Sequence, residues 1–153
     1  MLMNLLIGVP TMSLCLFLQV VLLVQAMRYH ARHNPPDAST SLWSALVVLN
    51  SIMTILVLGI FGQLSIWALV FLMLGEFGDF HEAIYHSAVN FATLGYGDFV
   101  MSEGNKFLGP LEAINGALMI GISTAALLGA FQDAVRRATA TKKNSDSSTR
   151  NKA

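Results

Sequence analysis

The sequence predicts an all-α membrane protein with three transmembrane helices and one short helix that enters the membrane without crossing it. Two observations carry this. The nine acidic and nine basic side chains all avoid 1–27, 43–75 and 113–132, and each of these stretches offers the ~20 apolar residues a bilayer crossing needs. Between the second and third stretches, Thr93-Leu94-Gly95-Tyr96-Gly97-Asp98 follows a short amphipathic segment. The near-neutral net charge hides this segregation and says little by itself.

The first element is a span over 2–27, and 1–27 forms a peripheral transmembrane helix. A cleavable leader is a poor reading of it, because no basic residues precede an apolar run that is already too long. Asn4, Pro10 and Gln19 are expected to interrupt the helix. Cys15 is the only cysteine, which leaves no disulfide framework and no CxxC pair.

Residues 28–42 read as a loop carrying Arg28 and Arg32 against Asp37, with His30 and His33 solvated beside Pro35-Pro36. A polar tail, 136–153, is rich in Lys, Arg, Ser and Thr and is expected to be disordered and to rest on anionic lipid. Segment 76–112 has the opposite balance: Glu76, Asp79, Glu82, Asp98, Glu103 and Glu112 against Lys106. Basic loops stay in the cytoplasm. The expected topology in the plasma (inner) membrane is therefore multi-pass, with an external N-terminus, a cytoplasmic loop 28–42, an external 76–112 and a cytoplasmic C-terminus.

The second span, 42–74, is long. At ~1.5 Å per residue it reaches about 50 Å, so tilt or projection into the interface must absorb the excess. Trp43 stands where an interfacial anchor belongs, and Trp67 lies too deep for that and reads as packing.

After it, Asp79-Phe80-His81-Glu82 fits a capping box, with Asp79 as N-cap. A helix over about 80–92 follows, with Phe80, Ala83, Ile84, Ala88 and Phe91 at helical spacing. It is too short to span and must leave on the face it entered. Its C-terminal end, the negative pole of its dipole, then points to mid-membrane, where it stabilises a cation. Next comes the Thr93 to Asp98 run. Glycine at 95 and 97 tolerates positive φ, so successive carbonyls can point one way, and several copies around an axis would stack oxygen rings that replace a cation's hydration shell.

The segment FHEAIYHSAVNFATLGYGD, 80–98, with a helix before it and one after, resembles the pore module of tetrameric potassium channels over 43–135. The resemblance implies a homotetramer in which the carbonyls of Thr93, Leu94, Gly95 and Tyr96, with the Thr93 hydroxyl, coordinate K⁺. Gly97 and Asp98 would support this filter. Tyr85 and His86 fall where the family's bracing aromatics lie, and would bond to Asp98 and to the Tyr96 hydroxyl respectively. Leu94 stands for the usual valine and Ala92 for a common threonine. Val89 occupies a site where some members carry a buried glutamate.

The third span, 108–131, is rich in glycine and alanine, which lets helices approach closely. The resemblance adds a gating hinge, assigned to Gly121 in preference to Gly116, with Ile122, Ala125 and Gly129 facing the inner cavity. Glu112 either has a protein partner or reaches solvent at the outer interface. His81, at the outer mouth, reads as solvated. The acids near the axis, Asp98 and Glu103, would concentrate cations.

The expected function is passive K⁺-selective conduction, with membrane lipid and further copies of the chain as partners. K⁺ is the transported ion, and no organic cofactor, nucleic acid or small-molecule substrate is indicated. A weakly selective cation channel and a non-conducting scaffold or accessory subunit are the alternatives. No clustered nucleophile, base and orienting group suggests an enzyme, and no row of spaced arginines suggests a voltage sensor.

Overall fold

The computed structural model describes residues 1–33 and 42–150. Among them are four helices: α1 (Leu2–His33), α2 (Leu42–Met73), α3 (Phe80–Phe91) and α4 (Leu108–Arg150). Three are long and apolar enough to cross a membrane, over Leu2–Arg28, Leu46–Met73 and Leu108–Asp133. The protein is an all-α, multi-pass membrane protein. α1 packs on α2 and α4, and α3 lies against both α2 and α4.

The short helix begins as its sequence dictates. Asp79, in an extended conformation, accepts a hydrogen bond from the Glu82 N–H at 2.8 Å, which satisfies one of the free donors of the first turn. The connections on either side of α3 are tied together. The Glu76 carboxylate accepts from the Ser102 N–H (2.7 Å), the Ser102 hydroxyl (2.6 Å) and Asn105 Nδ2 (2.7 Å). The chain therefore goes in and comes back at one end of the bundle. Asn4 Nδ2 donates to the Gly104 carbonyl at 2.9 Å, so the N-terminus of α1 lies at that same end.

The core is built where α3 meets the long helices. Trp67 and Phe71 of α2, Phe91 of α3, and Leu108, Leu111 and Met119 of α4 are buried there. Large apolar side chains elsewhere face outward, among them Phe17, Leu58, Phe61, Leu118 and Phe131. That distribution suits lipid and neighbouring chains as the surrounding medium.

Three expectations are corrected. Asn4, Pro10 and Gln19 do not break α1. Asn4 and Gln19 are buried, and their polar groups are spent between helices: Gln63 Nε2 donates to Gln19 Oε1 at 2.8 Å, and Gln19 Nε2 donates to Ser123 Oγ at 3.1 Å. The expected loop 28–42 begins later, because α1 runs to His33; residues 34–41 lie outside those described. The expected disordered tail over 136–153 is helical to Arg150. No Gly or Pro follows Gly129 to stop the helix, and 151–153 lie outside the described residues.

Candidate functional site

The 93–98 run starts from the end of α3, and the two are joined by a helix cap. The Leu94 N–H bonds to the Val89 carbonyl at 2.9 Å, and the Thr93 N–H to the Asn90 carbonyl at 2.8 Å. These are the two bonds of a Schellman cap, with Thr93 at the left-handed position. Its φ is 59°. Glycine is the usual occupant there, and a β-branched residue costs of order 1–3 kcal/mol. Gly95 (φ 59°) and Gly97 (φ 73°) are also left-handed. Positive φ thus recurs at 93, 95 and 97, with ordinary values at 94 and 96, an alternation that can turn consecutive carbonyls to one side.

The whole run is exposed in the single chain, with Tyr96 at 67%. Leu94 is exposed as well, and a Cβ built on Gly95 or Gly97 meets no atom within 4 Å. Asp98 Oδ1 accepts from the Phe99 N–H at 3.2 Å. The Asp98 carboxylate beside the Tyr85 hydroxyl holds the phenol above its ordinary pKa.

His86 is boxed by Phe77 (ring centroids 4.8 Å apart) and Phe71 (5.5 Å). Burial holds its pKa below the ordinary histidine value, against the pull of the nearby Phe99 backbone, Asp98 and Glu76. Its Nε2 lies 2.8 Å from Asn90 Nδ2. Since Asn90 can only donate from that atom, Nε2 is the acceptor and the imidazole proton sits on Nδ1. Within the chain, then, Nε2 serves Asn90, whereas the sequence pairs His86 with the Tyr96 hydroxyl. Thr93, Asn90 and His86 border a cavity of about 360 Å³ that also touches Gly109 and Ala113 of α4.

Glu112 does not reach solvent. It is fully buried, accepting from Ser87 Oγ at 2.5 Å (Oε1) and from Asn90 Nδ2 at 3.4 Å (Oε2). Val89 is buried, so the carboxylate behind α3 comes from α4.

On α4, the two glycines separate cleanly. A Cβ on Gly116 would lie 2.0 Å from the Phe91 carbonyl oxygen, so α4 crosses the end of α3 in backbone contact at that point. Gly121 has open space around it. Ala125 and Gly129 are exposed, while Ile122, placed with them by helical spacing, is partly buried against the core. Glu103 forms an exposed ion pair with Lys106, so its charge is not a free one. Ser87, Asn90, Phe77, Phe99 and Gly116 went unassigned in the sequence reading. Only Gly116 carries a sequence signal, a small residue in a span.

A family model described as an ion channel matches residues 53–133. Comparison with curated proteins and with solved structures returns no significant match. The matched region takes in most of α2, all of α3, the 93–98 run and the membrane-crossing part of α4, and the chain belongs to this ion-channel family with two transmembrane helices.

Proposed function

We propose that the protein is a passive, K⁺-selective channel, assembled from four copies, in the plasma (inner) membrane with the N-terminus outside. The observation that carries this reading is the Thr93-Leu94-Gly95-Tyr96-Gly97-Asp98 run, hung from a capped helix, with positive φ at 93, 95 and 97. The carbonyls of Thr93, Leu94, Gly95 and Tyr96 and the Thr93 hydroxyl are the proposed oxygen ligands. K⁺ sheds water to enter, and the carbonyl dipoles replace that hydration. One chain lays down one wall of such a path. Exposed backbone polar groups facing lipid would cost several kcal/mol each, which favours further copies around a shared axis. Gly121 is the proposed hinge, and Ala125 and Gly129 the cavity wall below it.

The test is K⁺ flux into vesicles carrying the purified protein, beside the native mass of the detergent-solubilised assembly. Four chains and K⁺ uptake that Gly95→Ala abolishes would support the reading, because a Cβ at that positive φ opposes the backbone the ring needs. Equal Na⁺ and K⁺ uptake would point to a weakly selective cation channel. A well-formed assembly without flux would point to a scaffold or accessory subunit.

A further inference from the structure

Glu112 is a carboxyl fully buried in a membrane-crossing helix. A group of that kind is retained only where it is bonded, and it generally marks a functional site. Among the described residues, both of its side-chain hydrogen bonds go to α3. Ser87 Oγ donates to one oxygen at 2.5 Å and Asn90 Nδ2 to the other at 3.4 Å. Asn90 is the junction. Its second amide hydrogen goes to His86 Nε2 at 2.8 Å. The Asn90 carbonyl receives the Thr93 N–H at the start of the 93–98 run. A continuous set of hydrogen bonds therefore joins α4 to the start of the proposed filter.

Packing alone does not account for this. A leucine would fill similar volume in the same site without the desolvation of a carboxyl. Ser87 is also fully buried, and its hydroxyl points at Glu112 across a sequence separation of 25 residues. Phe91, one residue beyond Asn90, is where Gly116 lets the α4 backbone touch α3. The hydrogen bonds fix rotation and register at a place where close approach fixes only separation.

We infer that Glu112 is a positioning residue for the ion-conducting segment, holding α3 and the start of the 93–98 run in register with the inner helix through Ser87 and Asn90. The inference rests on the channel reading above.

The experiment uses the full chain in vesicles and single-channel recording at low and high K⁺. Ser87→Ala removes one donor and leaves the carboxyl with Asn90. Glu112→Gln keeps an acceptor for Ser87 but sets an amide donor against Asn90. Leaving a buried polar group without its partner costs about 1–3 kcal/mol, so each variant should shorten the conducting lifetime at low K⁺ at least about fivefold. High K⁺ should restore most of it, because an ion bound to the ordered filter stabilises that state by mass action. A defect that merely weakens folding would not respond to K⁺ in this way. The double variant should be no worse than about twofold beyond the more affected single one, as coupled partners require. Should Glu112→Gln fail to assemble, Ser87→Ala alone decides, since it deletes one oxygen. Wild-type lifetimes and selectivity in assembled variants at both concentrations would overturn the inference, and so would additive effects. A wild-type protein that passes no K⁺ would instead overturn the channel reading and this inference with it.

Discussion

The proposed filter and the polar cluster behind it lie a few residues apart and are completed in opposite ways. Residues 92–100 are exposed throughout the single chain. Ser87 and Glu112, on the other side of α3, are fully buried and bonded to each other. The difference teaches where each kind of information resides. Position is specified inside one chain, by the Thr93 cap, the Glu112 contacts and the Gly116 crossing. On the proposed channel reading, enclosure is left for other chains to supply. Variants can be sorted by which of the two they damage.

The largest effect should come from Gly116→Ala. Its Cβ would meet the Phe91 carbonyl oxygen at 2.0 Å, and backbone cannot move aside as a flexible side chain can. Overpacking costs of about 1–3 kcal/mol or more per chain are expected, with a clear fall in thermal midpoint and loss of conduction. Gly121→Ala, with nothing within 4 Å, should leave the midpoint unchanged and alter only opening. Equal loss of stability in both would break the distinction between crossing point and hinge.

Gln19→Leu should come next. It strips the partners from Gln63 and Ser123, at about 0.6–2 kcal/mol for an interhelical bond in lipid. Faster hydrogen exchange in α1 with unchanged ion selectivity is the expected result. Altered selectivity would mean that α1 helps to position the filter.

Glu76 gives a smaller effect, confined to the outer connections. Burial raises its pKa, but bonds from the Ser102 hydroxyl, the Ser102 N–H and Asn105 outweigh that and hold it below the ordinary glutamate value. A depressed folded-state pKa stabilises above the unfolded value, about 4.3, and the contribution is lost as pH falls through the folded value. Exchange protection around 102–105 should therefore fall on acidification below about pH 4, and Glu76→Gln should abolish that pH dependence. Protection that falls equally in the variant would assign the effect to another group.

The smallest effect belongs to Glu103. Exposed and paired with Lys106, it contributes about 0.2–1 kcal/mol at most. Glu103→Gln should lower inward conductance slightly at low ionic strength and not at high, and Lys106→Gln should raise it under the same low-salt condition. Changes independent of salt would make the pair structural.

What the sequence made legible were features governed by local pattern. The three spans and the Asp79 cap of α3 follow from charge placement and from residue types at fixed offsets, and the structure has them. The Thr93 cap was hidden because its usual marker is glycine. The Glu112 contacts were hidden because a partner 25 residues away leaves no trace in periodicity. Asn4 and Gln19 looked like interruptions for the same reason: a polar residue in an apolar run signals a break until its cross-helix partner is known. The choice between Gly116 and Gly121 needed coordinates, since one glycine meets a carbonyl and the other meets nothing.

The central claim is that the 93–98 run selects K⁺, and the reversal potential across a bilayer holding the purified wild-type protein tests it most directly, with K⁺ on one side and Na⁺ on the other. A reversal potential far from zero is expected, on the side that marks K⁺ as the permeant ion, in a protein that migrates as four chains. A reversal potential near zero, with current carried equally by both ions, would contradict it.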